Sequence, residues 1–306
     1  AFVSLPEPRP LPEVNSYAEA TAASTPEERA EAVRAIAAVA QAHGCRASGS
    51  LSAQSVEIAV ANSLGARAYA PASEGSLVTV VSDEESSGYA AWRGLDISRL
   101  EPVEVAGTAA RKCVDGRGAE SIEPGEYTVV LEPLAVGDMI AGLAYMGFGA
   151  MAFQEGRSFM CGRIGERIVG ENVTIWDDGT DARHLAFPFD WEGVPKQKVV
   201  LIENGVARGV IYDSYTANKE AKQSTGHALP APNPYGPMPT HLFLAPGNAT
   251  LDEMIASTDR GVLVTRFHYT NIVHEKQTII TGMTRDGTFL IEGGKMPKPV
   301  KNLRFT

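Results

Sequence analysis

The residues of this chain that are best suited to chemistry lie between Arg266 and Glu275. This segment holds His268 and His274, six positions apart. On one strand that spacing places both imidazoles on the same face but about 20 Å apart, since a strand rises roughly 3.3 Å per residue. Zinc requires ligand nitrogens at about 2.0–2.1 Å and a third protein ligand. A metal site at His268 and His274 therefore requires a bend and remains the weaker hypothesis.

The same segment offers a second kind of chemistry. Arg266, His268 and Asn271 are polar side chains that could line a peptide-binding groove, because side chains two positions apart share one face of a strand. A strand end with solvated polar residues explains the same pattern. We predict Arg266, His268 and Asn271 as substrate-binding residues, and the sequence leaves the catalytic residues unassigned.

The other histidines and acids give weaker signals. His227 and His241 flank a loop, 224–247, that is rich in Gly, Pro and Asn. They could approach a metal, but loop histidines are more often solvated. The acidic runs Asp177-Asp178 and Asp83-Glu84-Glu85 are interpreted as solvated turns. Structural roles are predicted for the two remaining histidines, His43 and His184.

Nucleophilic catalysis is not favoured by the sequence. Cys161 has no recognisable base beside it, and a thiol needs one to act as a nucleophile. Ser158 and Ser224 lack a G-x-S-x-G context.

Composition excludes several classes of protein. Hydrophobic residues make up 44% of the 306 residues, enough for a sizeable core. The net charge of -10 disfavours direct binding to nucleic acid, because it repels phosphates. Three cysteines without a C-x-x-C pair indicate free thiols and a cytoplasmic location. No stretch approaches the roughly 18–20 apolar residues of a membrane span.

Three helices carry local signals. Thr25, Pro26 and Glu28 form a capping box that starts a helix ending near His43. A second helix is predicted from about Leu134 to Ala152, where crowded glycines imply close packing or a break near Gly147. Leu251–Ala256 is predicted to be a short helix.

Strand signals dominate the second half of the chain. The apolar run 199–202 is followed by Asn204-Gly205, a hairpin signal, and 207–212 is predicted to be the partner strand. Strands 278–284 and 287–291 are predicted to be joined by a turn at 285–287.

These patterns predict an α+β fold. Residues 1–14 are interpreted as a linker, 15–118 as a central α+β domain, and 119–306 as a larger, mostly β C-terminal domain with a glycine-rich helix.

Several blocks occur in an order that resembles the TldD/PmbA family. Phe187–Pro195 is similar to the family's F-D-x-E-G-x-P block, and Ser224-Thr225-Gly226 to its S-T-G segment. Tyr212–Ala217 and the closing stretch Thr281–Lys295 agree with this resemblance, as does the turn Asn62–Gly65.

The resemblance implies one of two kinds of chain. TldD-like members resemble metallopeptidases with an H-E-x-x-x-H helix, in which two histidines bind zinc and the glutamate acts as a general base. PmbA-like members, also called TldE, lack these residues. Here the corresponding segment, 141–156, contains no histidine. The resemblance therefore implies the PmbA/TldE-like branch, with no cofactor in this chain and zinc in a TldD-like partner. It also implies a further N-terminal domain, which is expected to be absent from this sequence.

The function expected from this resemblance is that of a non-catalytic subunit. It would join a TldD-like catalytic subunit, or a second copy of itself, in a complex that acts on unfolded or small peptides. Two alternatives stay open: a metallopeptidase with a shifted metal site, and a stand-alone protein-binding modulator of the kind described by the family's older label, modulator of DNA gyrase.

Overall fold

The computed structural model describes residues 4–183 and 185–306, so the interpretation of His184 lies outside the described residues. Its mixture of helices and sheets confirms the predicted α+β class. The helices are α1 (Glu19–Ala22), α2 (Pro26–Ala42), α3 (Pro102–Asp115), α4 (Pro133–Leu143), α5 (Ala150–Gln154), α6 (Ser214–Lys219) and α7 (Leu251–Ala256). The strands are β1 (Arg46–Ala61), β2 (Arg67–Ser82), β3 (Ser87–Gly94), β4 (Thr128–Leu131), β5 (Ile175–Asp177), β6 (Val199–Glu203), β7 (Val206–Ala207), β8 (Leu242–Leu244), β9 (Arg260–His274), β10 (Ile279–Glu292), β11 (Lys295–Pro299) and β12 (Arg304–Phe305). None of the described helices combines the length and apolar character that a bilayer crossing requires.

The first sheet is the antiparallel meander β1-β2-β3, and helices α2 and α3 pack against it. The predicted capping box starts α2, because the Thr25 side chain accepts from the Glu28 N–H and the Glu28 carboxylate accepts from the Thr25 N–H. Small side chains let α3 approach the sheet closely. A Cβ at Gly88 would lie 2.1 Å from the carbonyl oxygen of Ala109.

The second sheet has the order β11-β10-β9-β4, with β4 parallel to β9 and β12 paired to β10. The predicted turn at 285–287 is wrong, because these residues lie inside the continuous strand β10. There they form a bulge in which Asp286 and Gly287 have φ values of 56° and 129°. Glycine suits this bulge, since a Cβ at Gly287 would lie 2.5 Å from Thr265 Oγ1.

The third sheet has the order β7-β6-β5-β8. Asn204-Gly205 forms the predicted hairpin between β6 and β7, but the predicted partner strand 207–212 is wrong beyond Ala207. The chain turns away because Ile211 pairs elsewhere. Its N–H donates to Phe148 O, and its carbonyl accepts from Ala150 N.

The glycine-rich helix is interrupted where the sequence predicted a break. Helix α4 continues into a π-helical turn, Ala144–Phe148, and α5 starts after Gly149. Close packing accompanies the break. A Cβ at Gly147 would lie 2.4 Å from the Phe159 ring, and one at Gly149 would lie 2.4 Å from Pro237 O. The predicted domain boundaries at 14 and 118 stay predictions.

Candidate functional site

The predicted groove residue Arg266 is held between two sheets. Its Nε donates to Asp286 Oδ2 at 2.7 Å, and its guanidinium lies 4.4 Å from the centre of the Tyr89 ring on β3. Ser87 Oγ, also on β3, donates to Asp286 Oδ1 at 2.5 Å. Arg266 therefore joins the first sheet to the second, and its charge is already paired.

His268, Asn271 and His274 lie farther along β9. His268 is opposite Met283 and His274 is opposite Ile279 on β10, so the two histidines stay separated along the strand pair. Asn271 Nδ2 donates to the Tyr269 carbonyl at 2.7 Å. Their assignment to a peptide groove stays a prediction.

Across the described residues, one group of three or more His, Cys, Asp or Glu side chains is close enough to hold an ion: Cys45, Asp83 and Cys113. The two sulfur atoms are 3.6 Å apart. Arg117 covers the group, with Nε 2.7 Å from Asp83 Oδ2 and Nη2 3.6 Å from Cys45 Sγ. A guanidinium already supplies the positive charge that a metal ion would bring, which disfavours a cation here.

A second polar cluster is buried around Asp177 at the end of β5, and sequence reasoning missed it. The interpretation of Asp177 as a solvated residue is wrong, because its side chain is fully buried. Its Oδ1 accepts from His227 Nε2 at 2.8 Å and its Oδ2 accepts from the His241 backbone N–H at 2.7 Å. The interpretation of His227 as a solvated loop histidine is also wrong, since it is 1% exposed.

Both imidazoles of this cluster contact buried polar groups. His227 Nε2 lies 2.8 Å from Asp177 Oδ1, and its Nδ1 lies 2.9 Å from Thr225 Oγ1, whose hydroxyl also donates to the Tyr212 carbonyl. His241 donates from Nε2 to the Leu185 carbonyl (2.7 Å), and its Nδ1 lies 2.9 Å from Thr240 Oγ1. Burial lowers the pKa of both rings, so each is neutral near pH 7.

Lys196 completes the cluster. It is 8% exposed, and its Nζ donates to Thr240 Oγ1 at 2.9 Å. Its aliphatic stem lies against Gly179, where a Cβ would be 2.1 Å from Lys196 Cδ. A side chain at position 179 would therefore collide with the lysine stem in its present position.

Burial and the neighbouring charges set the protonation equilibria. Burial lowers the pKa of His227 and outweighs its hydrogen bond to Asp177. Burial, aided by the charge of Lys196, lowers the pKa of His241 to about 4. Burial also lowers the pKa of Lys196, against the charges of Asp177 and Asp190. Burial alone would raise the pKa of Asp177, but the His227 hydrogen bond and the Lys196 charge hold it below its ordinary value.

Asp190 holds the loop that closes one side of the cluster. Its carboxylate accepts from three backbone N–H groups, those of Glu192, Val194 and Ala228. Burial raises its pKa, while these hydrogen bonds act in the opposite direction. Asp190 therefore fastens the 190–194 turn to the segment that carries His227.

The cluster borders a cavity of about 590 Å³ between the first sheet and these loops. Lys196, His227, His241 and Asp190 lie on its wall. The rest of the wall is largely apolar, with contributions from Ile58, Leu95, Leu185, Phe187, Phe189, Leu229, Met238 and Leu242. This volume falls within the usual size of small-molecule sites, about 300–1,000 Å³.

The sequence carried one signal for this site. The blocks 187–195, 212–217 and 224–226, which supported the family resemblance, all meet around the cluster. Thr225 Oγ1 accepts from the Tyr212 N–H at 2.8 Å, and Glu192 accepts from the Ser214 N–H at 3.1 Å. These blocks therefore build one structural unit whose centre is the buried cluster.

The comparison with known sequences agrees with these blocks. Residues 124–306 match the family model described as the PmbA/TldA metallopeptidase C-terminal domain. An uncharacterised protein of Methanocaldococcus jannaschii is 40% identical over 132 residues, which is 43% of this chain and 30% of that protein. The metalloprotease TldD homolog of Haemophilus influenzae is 34% identical over 149 residues, 47% of this chain and 30% of that protein. The metalloprotease PmbA homolog of the same organism is 26% identical over 235 residues, 74% and 49% of the two chains. This chain thus spans half or less of the length of these relatives.

Solved structures show the same fold. TldE from Thermococcus kodakarensis superposes with a TM-score of 0.88 at 22% identity, covering 99% of this chain and 71% of that chain. A protein of Thermotoga maritima described as a candidate modulator of a DNA gyrase superposes with a TM-score of 0.89 at 21% identity, covering 100% and 72%.

Proposed function

Because the chain belongs to the PmbA/TldD metallopeptidase family, we propose that it is the non-catalytic, TldE-type subunit of a peptidase complex. A TldD-like chain would supply the zinc site and the peptide-bond chemistry. The present chain would form part of the wall of the reaction chamber and contact the peptide.

The side chains of the glycine-rich helix are the observation that carries this proposal. From Pro133 to Gln154 this helix holds one acid, Asp138, and neither histidine nor cysteine. The Asp138 carboxyl accepts a hydrogen bond from the Phe267 N–H and feels the charge of Arg266, although burial, the larger effect, raises its pKa. One carboxyl does not make the three-ligand set that catalytic zinc needs. The donor set of this helix therefore suits a supporting subunit better than a zinc enzyme.

The edge of β9 supports a role in holding peptides. Strand β4 pairs with β9 only over Gly261–Val264. Past that point, the Asp138 carboxyl accepts from the Phe267 N–H, and the sheet order of the described residues places no further strand on this edge. Tyr269, which is 75% exposed, and Asn271 lie on this part of β9. An extended peptide can add to such an edge through main-chain hydrogen bonds.

Reconstitution tests the proposal. The full-length product of the gene would be purified alone, and again after co-expression with a TldD-like chain of the same genome. Zinc content, mass in solution and cleavage of unfolded peptides would be measured for each chain and for the mixture. We expect a stable complex, zinc bound to the TldD-like chain, and cleavage that requires that chain.

A matched control removes the partner's chemistry without removing the partner. Replacing the glutamate of the H-E-x-x-x-H motif in the TldD-like chain should abolish cleavage and leave the complex intact. Stoichiometric zinc on the present chain alone, or peptide cleavage by it alone, would contradict the proposal and favour a shifted metal site. A stable monomer that does not bind the TldD-like chain would favour a stand-alone binding role.

A further inference from the structure

Lys196 is a buried cation with unused hydrogen-bond donors on a cavity wall. An ammonium group has three N–H donors. Among residues 4–183 and 185–306, the Lys196 ammonium makes one hydrogen bond, to Thr240 Oγ1. No ion pair within 4 Å joins it to another described residue, although the charges of Asp177 and Asp190 act on it. Two donors therefore have no partner among the described residues and can bind a group that enters the cavity.

The charges around Lys196 decide what kind of acceptor fits. Both imidazoles of the cluster are neutral, and the Asp177 and Asp190 carboxylates are each held by hydrogen bonds from described residues. One ammonium with two carboxylates leaves one net negative charge. An anionic ligand would be repelled by this net negative charge in a poorly hydrated place. A neutral carbonyl oxygen would accept a hydrogen bond from Lys196 without that repulsion.

The apolar part of the cavity wall indicates which chemical group the ligand carries beside its carbonyl oxygen. Phe187 and Leu185 on one side and Ile58 and Leu95 on the other leave room for a hydrocarbon or aromatic group. The other charged side chains on the wall are paired, because Arg93 lies 3.5 Å from Glu74 and Arg183 lies 2.6 Å from Asp181. A ligand that combines a neutral carbonyl with an apolar side chain matches both parts of the wall.

We propose that this cavity binds one apolar residue of a peptide, with a backbone carbonyl oxygen of that residue accepting a hydrogen bond from Lys196 Nζ. This inference rests on the proposed function for its choice of peptide as the ligand. It adds a subsite at the junction of the first sheet and the loops around His227, at a different place from the β9 edge.

A pair of small probes tests the charge preference directly. N-acetyl-L-phenylalaninamide and N-acetyl-L-phenylalanine share one side chain and differ in having an amide or a carboxylate. Binding to the unmodified chain would be followed by NMR chemical-shift changes during titration. We expect saturable binding of the amide and at least about tenfold weaker binding of the carboxylate, a ratio that corresponds to about 1.4 kcal/mol.

Variants test the role of the lysine. Lys196→Met should weaken binding of the amide by about ten- to a hundredfold, as expected for the loss of a hydrogen bond from a charged donor. Lys198→Met is the matched control, because Lys198 is exposed and lies over the Trp176 ring, 4.8 Å from its centre. It should bind the amide as the unmodified chain does. Thermal melting of each variant would show that it is folded.

Several outcomes would overturn the inference. If N-acetyl-L-phenylalanine binds as tightly as the amide or more tightly, the cavity does not carry the net negative charge that we assign to it. This test needs no variant. Unchanged binding in Lys196→Met would remove the lysine from the site. If neither probe binds saturably, the cavity does not bind an apolar peptide residue. Cleavage by the reconstituted complex with no binding of the amide would reject the subsite while leaving the proposed function in place.

Discussion

The ion pair between Arg266 and Asp286 and the buried cluster around Asp177 both hold charged side chains largely away from water. The two regions differ in how the hydrogen bonds of these side chains are completed. Arg266 meets a carboxylate and an aromatic ring, so its charge is matched within the fold. In the Asp177 cluster the carboxylates are satisfied, whereas Lys196 keeps donors that face a cavity. A fully paired cation joins parts of a structure, and a partly paired one can also receive a ligand.

The two regions also differ in how their partners come together. Arg266 and Asp286 lie on neighbouring strands of one sheet, and a bulge turns Asp286 toward Ser87 of another. The partners of Asp177 come from loops, and His227 is fifty positions away in the chain. Four predictions test this contrast, and the largest expected effect comes first.

Removing the carboxylate of Asp177 should have the largest effect. Asp177→Ala leaves Lys196 without its main counter-charge and removes the hydrogen-bond partner of the His241 N–H and of His227 Nε2. The free energy of unfolding should fall by about 4 kcal/mol, because two hydrogen bonds to a charged acceptor are lost at about 1.5–3 kcal/mol each. Urea denaturation followed by circular dichroism measures it. The neighbour Asp178 is the control, because its carboxylate accepts its hydrogen bonds within the local turn, from the Thr180 N–H and hydroxyl. Asp178→Ala should cost about 1 kcal/mol or less, and equal losses in both variants would contradict the buried role of Asp177.

Acidification should destabilise the cluster through His241. Its folded-state pKa of about 4 lies below the unfolded value of about 6.5, so the unfolded chain binds more protons in that interval. Stability should therefore be complete above about pH 6.5 and decline as the pH falls toward 4, by up to about 3 kcal/mol. Lys196, Asp177 and His227 are the titratable groups that act on it.

Unfolding measured at several pH values between 7 and 4 tests this dependence. Carboxylates elsewhere also titrate at the acid end of the range, so His241→Gln is needed as a reference. This variant should show a shallower decline between pH 6.5 and 5. The same slope in both proteins would mean that His241 does not remain neutral in the folded state.

Breaking the ion pair between Arg266 and Asp286 should have an intermediate effect. Arg266→Met leaves the buried Asp286 carboxylate with Ser87 as its main donor, and the free energy of unfolding should fall by about 2 kcal/mol. Arg285 is a matched control, because it is 46% exposed and its Nε is 3.9 Å from Asp286 Oδ1. Arg285→Met should change stability by less than about 0.5 kcal/mol. Denaturation curves for the two variants give the comparison. Equal losses of unfolding free energy would show that Arg266 does not form a specific stabilising pair with Asp286.

The smallest effect on stability is expected at the end of β9. His268→Ala and Asn271→Ala should each change the free energy of unfolding by less than about 0.5 kcal/mol, since they remove partly or fully exposed side chains. If these residues line a peptide groove, cleavage by the reconstituted complex should fall at low peptide concentration while stability is unchanged. Unchanged cleavage would remove both residues from the substrate contacts.

Local signals allowed much of the fold to be predicted. The capping box at Thr25 and the short helix Leu251–Ala256 depend on residues within one or two turns, and both form as predicted. The turn predicted at 285–287 failed, because Asp-Gly is compatible with either a turn or a bulge. Packing of Gly287 against Thr265 selected the bulge.

The candidate site was much harder to predict. Asp177, His227 and His241 were each noticed, but all three were interpreted as solvated because polar residues near Gly and Pro usually lie at the surface. Burial is a property of what packs on a residue, and the covering loops are far away in the sequence. Only the sequence blocks that contain Asp190 and Thr225 indicated the location of the buried cluster.

The sequence by itself determined the family, the α+β class, the principal helix starts and the absence of histidine from the glycine-rich helix. These follow from residue identity and short-range spacing. Tertiary structure alone decided that Arg266 pairs with Asp286, that Asp177 is buried, and that Lys196 faces a cavity. The reason is physical: charge pairing and desolvation depend on distances through space, and the partners here are brought together only when the sheets and loops pack.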